Sequence, residues 1–178
     1  MKRAEFEHAV RAAAAVLDIE EVLVIGSQAL HGSVAGDLPE EALRSVEVDV
    51  AALEDPDGSQ ADLVDGAIGE ASMFHATFGY YAQGVEAITA VLPEGWRDRL
   101  VRFESPATRG VVAWCLEPHD LWISKMIAGR PKDLEFGRVL LERGIVEPGE
   151  MMGRLELVDV EEPVRTRIAG KIKAWSAA

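Results

Sequence analysis

Two short stretches decide the fold of this chain: Val22-Leu23-Val24-Ile25-Gly26-Ser27 and, about twenty residues later, Val46-Glu47-Val48-Asp49-Val50. The first is a continuous apolar run, typical of an inner strand, that ends in a turn of small residues. In the second, apolar and acidic residues alternate, and side chains two positions apart on a strand point to the same face. Glu47 and Asp49 are therefore expected to project together from one face of a strand.

These stretches carry residues suited to a phosphorylated ligand and its metal ion. Paired carboxylates on a rigid strand supply the hard oxygen ligands that Mg²⁺ or Mn²⁺ prefers. A Gly-Ser turn leading into a helix can hold a phosphate through its backbone N–H groups. Each signal is weak alone, because glycine serves many turns for backbone reasons and alternating acids usually form a solvated face. Together they predict metal-dependent chemistry on a nucleoside triphosphate.

The composition fits one globular unit and excludes several classes of site. The 178 residues are 48% hydrophobic, enough for a core of their own. A net charge of -13 argues against a broad, sequence-independent nucleic-acid surface, which needs clustered cations. The one cysteine, Cys115, excludes an internal disulfide and a cysteine-rich zinc site. Its apolar neighbours predict a packed thiol in a reducing compartment.

The start of the chain and its apolar runs predict a cytoplasmic location. Glu5, Glu7 and His8 interrupt the N-terminal region, so no apolar core of a signal peptide is recognisable. No segment reaches the ~20 apolar residues needed to span a bilayer. We therefore expect a cytoplasmic protein without membrane contact.

Periodicity and turn residues predict strands early in the chain and helices late, which is typical of an α+β fold. One early helix is predicted over 3–17, and another begins at Ser59, where the side chain can cap it. The predicted strands cover residues 22–25, 45–53, 85–92, 99–104 and 110–116. The predicted late helices cover residues 118–128, 132–144, a stretch from 148, and 161–175.

The aromatic, glycine-punctuated segment 72–84 fits neither the helical nor the strand period. Irregular segments of this kind often carry function, and His75 lies within it. The alternative is that Phe74, Phe78 and Tyr80 only pack under the edge of the sheet. The sequence leaves both interpretations open.

A third segment adds cations and an acid near the end of the sheet-forming region. Lys125 lies in a largely apolar helix, and a Gly-Arg-Pro turn separates it from Lys132-Asp133. Taken alone, these residues fit a lysine whose ammonium group reaches solvent and an acid at a helix start.

In order along the chain, a strand, a Gly-Ser turn, a helix, an acidic strand and a late helix pair resemble the minimal nucleotidyltransferases of the DNA polymerase β-like fold. More closely, the chain resembles the bacterial abortive-infection toxin-type branch and its small uncharacterised relatives. The resemblance covers roughly residues 20–145. The matching residues are Gly26-Ser27, Glu47-Val48-Asp49, Ser124-Lys125 and Arg130-Pro131-Lys132-Asp133-Leu134-Glu135.

The resemblance implies an α+β fold with a small mixed sheet, a nucleotidyltransferase-like strand-helix-strand core and a C-terminal helical segment. It implies a core domain over residues 1–116 and a helical subdomain over 117–178 that completes the site. Mg²⁺ or Mn²⁺ would be held by Glu47 and Asp49. The nucleotide-binding residues would be Gly26, Ser27, Lys125, Arg130 and Lys132, and the catalytic residues would be Asp49, Lys125 and Asp133.

These implications lead to two hypotheses. In the first, the chain transfers a nucleoside monophosphate from an NTP to an RNA end, a protein or a small-molecule hydroxyl, in a toxin-like role. The net charge of -13 disfavours RNA as the acceptor. In the second, it is a catalytically degenerate nucleotide-binding or protein-interaction module. Two features favour the second: Glu47 stands where the family usually has Asp, and no clear third acid is found, Glu104 being the nearest candidate. A protein partner or a homo-oligomer is compatible with either.

Overall fold

The apolar run of the first stretch forms the centre of a mixed sheet, because it can be buried on both faces and paired along both edges. The computed structural model describes residues 1–55 and 57–177, and within them the sheet has five strands in the order β3-β2-β1-β5-β4. The strands are β1 (Glu21–Val24), β2 (Glu47–Ala51), β3 (Tyr81–Gly84), β4 (Val101–Phe103) and β5 (Val112–Cys115). The β1–β5 and β2–β3 pairs are parallel, and the β1–β2 and β4–β5 pairs are antiparallel.

Helices precede, interrupt and follow this sheet. The helices before β4 are α1 (Arg3–Leu17), α2 (Leu30–Ser33), α3 (Glu40–Leu43), α4 (Ser59–Ile68) and α5 (Met73–Phe78). The helices after β5 are α6 (Pro118–Ala128), α7 (Pro131–Glu142), α8 (Pro148–Glu156) and α9 (Glu162–Ser176). The α+β class, the small mixed sheet and the C-terminal helical segment are therefore confirmed. The division of the chain between residues 116 and 117 stays a prediction.

The segment between Ser72 and the start of β4 differs most from the sequence prediction. Residues 72–84 form α5 and β3 rather than a loop, and the aromatic side chains pack around His8 of α1, with Phe78 4.7 Å from it between ring centroids. The predicted strand over 85–92 is wrong: β3 ends at Gly84, and a 3₁₀ turn covers Ala87–Thr89. At its last residue the strand passes close to α4, where a Cβ on Gly84 would lie 2.0 Å from the Ala61 carbonyl oxygen.

A close approach between α6 and α7 fixes the late helix pair. The indole Nε1 of Trp122, a fully buried residue, donates a hydrogen bond of 2.8 Å to the carbonyl of Gly137. A Cβ at Gly137 would lie 2.4 Å from the Met126 Cε and 3.0 Å from the Trp122 Nε1, so a larger residue here would require these side chains to move. The two helices therefore meet at a short distance.

The core extends from α1 through the sheet into the late helices. Cys115 is a packed thiol, as predicted, and burial raises its pKa to about 12. In the part of the chain that the structure describes, no helix has the length and apolar character to cross a membrane.

His31 of α2 is a buried histidine whose charge is suppressed. Its ring is 3% exposed, lies 4.6 Å from the Phe6 ring between centroids, and has Nε2 3.3 Å from the Met1 carbonyl oxygen. Burial lowers the pKa of His31 to about 4, and the nearby Arg3 acts in the same direction. The folded protein therefore holds this ring neutral at pH values where an unfolded chain would protonate it.

We predict that His31 makes the free energy of unfolding of this protein fall as the pH is lowered. Between the unfolded pKa of about 6.5 and the folded pKa of about 4, the unfolded state binds more protons, so the free energy of unfolding falls as pH falls. The full loss attributable to His31 is about 3 kcal/mol. Urea denaturation of wild type and His31→Gln at pH 7 and pH 4.5 measures it, since the variant should lose less stability between these pH values. Equal losses in both proteins would contradict the assignment.

Candidate functional site

The acidic strand presents its two carboxylates to one side of the sheet. Val48 and Val50 of β2 are fully buried, whereas Glu47 and Asp49 are partly exposed on the opposite face. Because α6 and α7 line the same cavity as these acids, the carboxylates face the late helices. The expectation that Glu47 and Asp49 share a face is met by this geometry.

Asp49 lies directly against Gly26, at the point where β1 ends. A Cβ added to Gly26 would be 1.5 Å from the Asp49 Oδ2, so no other residue fits without moving the carboxylate. The Asp49 carbonyl also accepts a hydrogen bond of 3.2 Å from the Ile25 N–H, which fixes the two strands at this level. Burial raises the pKa of Asp49, and the nearby Lys125 ammonium opposes that shift. A bound cation would favour the ionised form of this carboxylate.

Glu47 is held in place by two neighbours. The Tyr81 hydroxyl on β3 donates a hydrogen bond of 3.0 Å to the Glu47 Oε2, and the Lys132 Nζ lies 4.0 Å from its Oε1. Burial, followed by the contact with Glu47, raises the pKa of Tyr81 to about 12, so the hydroxyl keeps its proton. Sequence reasoning missed Tyr81. The signal that could have found it was its place at the end of the aromatic segment 72–84.

Asp133, at the start of α7, gathers the cations of the late helices. Its side chain is 2% exposed, with the Arg130 Nε 2.6 Å from Oδ2 and the Lys125 Nζ 3.7 Å from Oδ1. A buried carboxylate needs such partners because its desolvation is otherwise too costly. Asp133 thus positions Lys125 and Arg130, and these ion pairs occupy the oxygens that a metal ion would need.

The candidate residues line two neighbouring cavities that share Asp49 and Lys125. We call the first the acidic cavity; it measures about 330 Å³, and Ser27, Phe136 and the charged residues named next lie in its lining. Its charged lining residues are Glu41, Arg44, Glu47, Asp49, Lys125, Lys132, Asp133 and Glu135. The second, which we call the Arg130 cavity, measures about 360 Å³. Its lining residues are Ile25, Gly26, Asp49, Val85, Thr89, Ala90, Ser124, Lys125, Ala128 and Arg130.

This division separates residues that the sequence grouped together. Ser27 and Lys132 lie in the acidic cavity, whereas Gly26 and Arg130 lie in the Arg130 cavity. Arg44, which carried no signal in the sequence, spans the acidic cavity by an ion pair of 3.2 Å to Glu135 of α7. The wall formed by residues 85–90 was also missed, because that stretch was interpreted as a strand.

No third carboxylate joins the pair. Among the described residues, no group of three or more His, Cys, Asp or Glu side chains is arranged to hold a metal ion. Glu104 follows β4, which β1 and β5 separate from β2, and pairs with Arg102 at 2.6 Å, so the suggestion that it completes the set is wrong. On β3, Gln83 is the partner of Asp49 in the register.

Glu47 and Asp49 nevertheless supply donors of the kind that bind a magnesium ion together with phosphate oxygens. Mg²⁺ is commonly bound through one or two carboxylates together with substrate phosphates. Glu47 and Asp49 provide such a pair, and the desolvated state of Asp49 favours a compensating cation. Lys125 and Lys132 lie in the same cavity, where they can contact phosphate oxygens.

We predict that Gly26→Ala disrupts this carboxylate. The new Cβ would displace Asp49, so Mn²⁺ affinity, measured by electron paramagnetic resonance, should fall by about tenfold or more. Overpacking should also reduce stability by about 1–3 kcal/mol.

Gly36→Ala is the matched control, because a Cβ at Gly36 has no atom within 4 Å. Unchanged Mn²⁺ binding in a folded Gly26→Ala protein would show that the position of Asp49 does not matter for the cation.

A comparison with protein families agrees with the nucleotidyltransferase part of the resemblance. The family model described as "Nucleotidyltransferase of unknown function (DUF6036)" matches residues 5–140, well over half of the chain. Comparisons with curated proteins and with solved structures gave no significant match. The match extends from α1 to α7 and includes the carboxylates of β2 and the cations at the turn between α6 and α7. The chain therefore belongs to the DUF6036 family of nucleotidyltransferases of unknown function.

Proposed function

We propose that this protein transfers a nucleoside monophosphate from an NTP to a hydroxyl acceptor, with a divalent cation held by Glu47 and Asp49. One observation carries the proposal: both carboxylates share the acidic cavity with Ser27, Lys125 and Lys132. Carboxylates alone would repel a triphosphate, and cations alone would bind any anion. The combination fits a metal–triphosphate complex, in which the two kinds of side chain contact different parts of one ligand.

Each residue has a separate task in this proposal. The Ser27 hydroxyl donates a hydrogen bond to a phosphate oxygen, and Lys125 offsets the charge that develops on the leaving phosphates. Asp133 keeps Lys125 in position through their 3.7 Å ion pair. When Glu47 turns to a cation, Lys132 loses its ion-pair partner and becomes available to the triphosphate.

The transfer exchanges one phosphorus–oxygen bond for another. The acceptor hydroxyl oxygen forms a bond to the α-phosphorus, the bond from the α-phosphorus to the bridging oxygen breaks, and pyrophosphate leaves with that electron pair. The hydroxyl proton passes to water. A bound Mg²⁺ supplies Lewis-acid stabilisation of the triphosphate oxygens. Binding the reactants in alignment between the sheet and the late helices also lowers the barrier. Their translational and rotational entropy is then lost on binding rather than in the transition state.

The toxin-like role is a narrower proposal that rests on the order of the sequence motifs. In that role, expression of the wild-type protein in a bacterial host would arrest growth, whereas Asp49→Asn would not. Growth arrest of equal strength with both proteins would contradict a catalytic toxin.

A second candidate is a catalytically degenerate nucleotide-binding or protein-interaction module. The absence of a third carboxylate among the described residues favours it, as does the longer side chain of Glu47. A nucleotide-binding module of this kind would bind NTP as the transferase does but would not release pyrophosphate.

The test is calorimetric titration of each of the four NTPs in the presence of Mg²⁺, with pyrophosphate release as the readout of turnover. Asp49→Asn should weaken Mg²⁺-dependent NTP binding by more than about tenfold, since loss of even an outer partner of a metal typically costs roughly 10–100-fold. Pyrophosphate release should fall with it.

Asp62→Asn is the control, because Asp62 is an exposed carboxylate on α4 that lines neither cavity. Metal-dependent NTP binding without pyrophosphate release in the presence of any tested acceptor would favour the degenerate module. NTP binding that is indifferent to both Mg²⁺ and Asp49→Asn would refute the transferase proposal.

A further inference from the structure

The Arg130 cavity lies beside Asp49 and is distinct from the cavity in which both carboxylates meet. Glu47 and Ser27 line only the acidic cavity, whereas Ser124 and Arg130 line only the Arg130 cavity. Asp49 and Lys125 line both. A group transferred past Asp49 would therefore pass from one cavity to the other, which is the arrangement that a two-substrate transfer requires.

The charges in the two linings differ in sign. Among the described residues, the acidic cavity has five carboxylates and three cationic side chains, whereas the Arg130 cavity has Lys125 and Arg130 against the single carboxylate of Asp49. The acidic cavity needs a metal ion before it can accept a triphosphate. The Arg130 cavity can bind an anionic group directly through guanidinium N–H groups of Arg130 that Asp133 does not bind, with the Ser124 hydroxyl as a further hydrogen-bond donor.

The size and the walls of the Arg130 cavity limit what it can hold. About 360 Å³ lies at the low end of small-molecule pockets, which run from roughly 300 to 1,000 Å³. Ile25, Val85 and Ala90 contribute apolar surface beside the polar groups. These features fit a compound of mononucleotide size that carries both an anionic group and a flat or apolar part.

The wall formed by residues 85–90 gives this cavity its shape. After β3 the chain turns through Ala87–Thr89, where the Thr89 hydroxyl donates a hydrogen bond of 2.7 Å to the Glu86 carbonyl. Ala90 then lines the cavity, whereas Ile88, two positions earlier, is 85% exposed and outside it. Had the predicted strand continued, these residues would have extended β3 instead of forming this wall.

We propose that the Arg130 cavity is the acceptor site and that the acceptor is a small phosphomonoester with a free hydroxyl, about the size of a nucleoside monophosphate. This inference rests on the proposed transferase function and narrows its acceptor. The acceptor phosphate lies against Arg130, and its hydroxyl reaches past Asp49 to the α-phosphorus of the NTP. The bond changes are those given above, with pyrophosphate as the leaving group and the hydroxyl proton lost to water.

The experiment is a two-ligand titration of the full chain. Each of the four nucleoside 5′-monophosphates is titrated into protein saturated with Mg²⁺ and a non-hydrolysable NTP analogue. At least one should bind to this preloaded protein. Ala90→Trp, which fills the Arg130 cavity, should weaken that binding by about tenfold or more while changing analogue affinity by less than about twofold.

Ile88→Trp is the matched control, since it adds the same side chain two positions away, on the solvent side of the loop. Ala128→Trp fills the cavity from the end of α6 and serves if Ala90→Trp does not fold, as judged by circular dichroism. Both filling variants should lose monophosphate binding, and Ile88→Trp should keep it.

The two proposals fail in different ways in this design. Monophosphate binding that the filling variants leave unchanged, or that the NTP analogue abolishes by competition, would overturn the acceptor site without affecting the transferase proposal. A failure of the analogue to bind would contradict the transferase proposal itself. Binding of a short oligoribonucleotide about 100-fold tighter than any monophosphate, with the same sensitivity to Ala90→Trp, would overturn the small-molecule acceptor in favour of an RNA end.

Discussion

The site depends on the ion pairs that the buried carboxylate of Asp133 forms with Lys125 and Arg130. A carboxylate that is 2% exposed is tolerated only when cations and hydrogen bonds replace water. Arg130 and Lys125 meet that need, one from the turn and one from α6, so a single buried charge fixes three elements of the late helix pair. The close contact between Trp122 and Gly137 holds the same pair from its apolar side. The late helices thus offer the sheet a rigid set of cations.

The sheet supplies the carboxylates of the site, and their positions are also tightly constrained. Because Gly26 has no side chain, the Asp49 carboxylate can lie against the end of β1. Tyr81 and Lys132 then hold the longer side chain of Glu47. The result is a cleft in which carboxylates on one side face cations on the other, within a chain whose overall charge is -13.

The sequence predicted most of the regular elements because their signals are local. The period of α1, the apolar run of β1, the alternation in β2, and the Pro and Gly residues that delimit the late helices each act over a few residues. It failed between residues 72 and 92, where α5, β3 and a 3₁₀ turn replace a predicted loop and strand. Those residues take their conformation from packing on α1 and α4, and sequence spacing does not encode such distant contacts.

By itself, the sequence determined that Glu47 and Asp49 share a face, because strand geometry alternates side chains at every residue. It also placed a glycine and a serine after the first strand and Lys125 before the Lys132-Asp133 pair. Only the tertiary structure decided that Asp133 is buried among cations, that Tyr81 holds Glu47, and that two strands separate β2 from β4, which Glu104 follows. It also decided that Asp49 lies between two cavities whose linings differ in charge. The physical reason is how far apart along the chain the interacting residues lie. Backbone geometry relates neighbours a few residues apart. Burial, and pairs such as Tyr81 with Glu47 and Arg44 with Glu135, depend on segments 34 and 91 residues apart that meet only when the core packs.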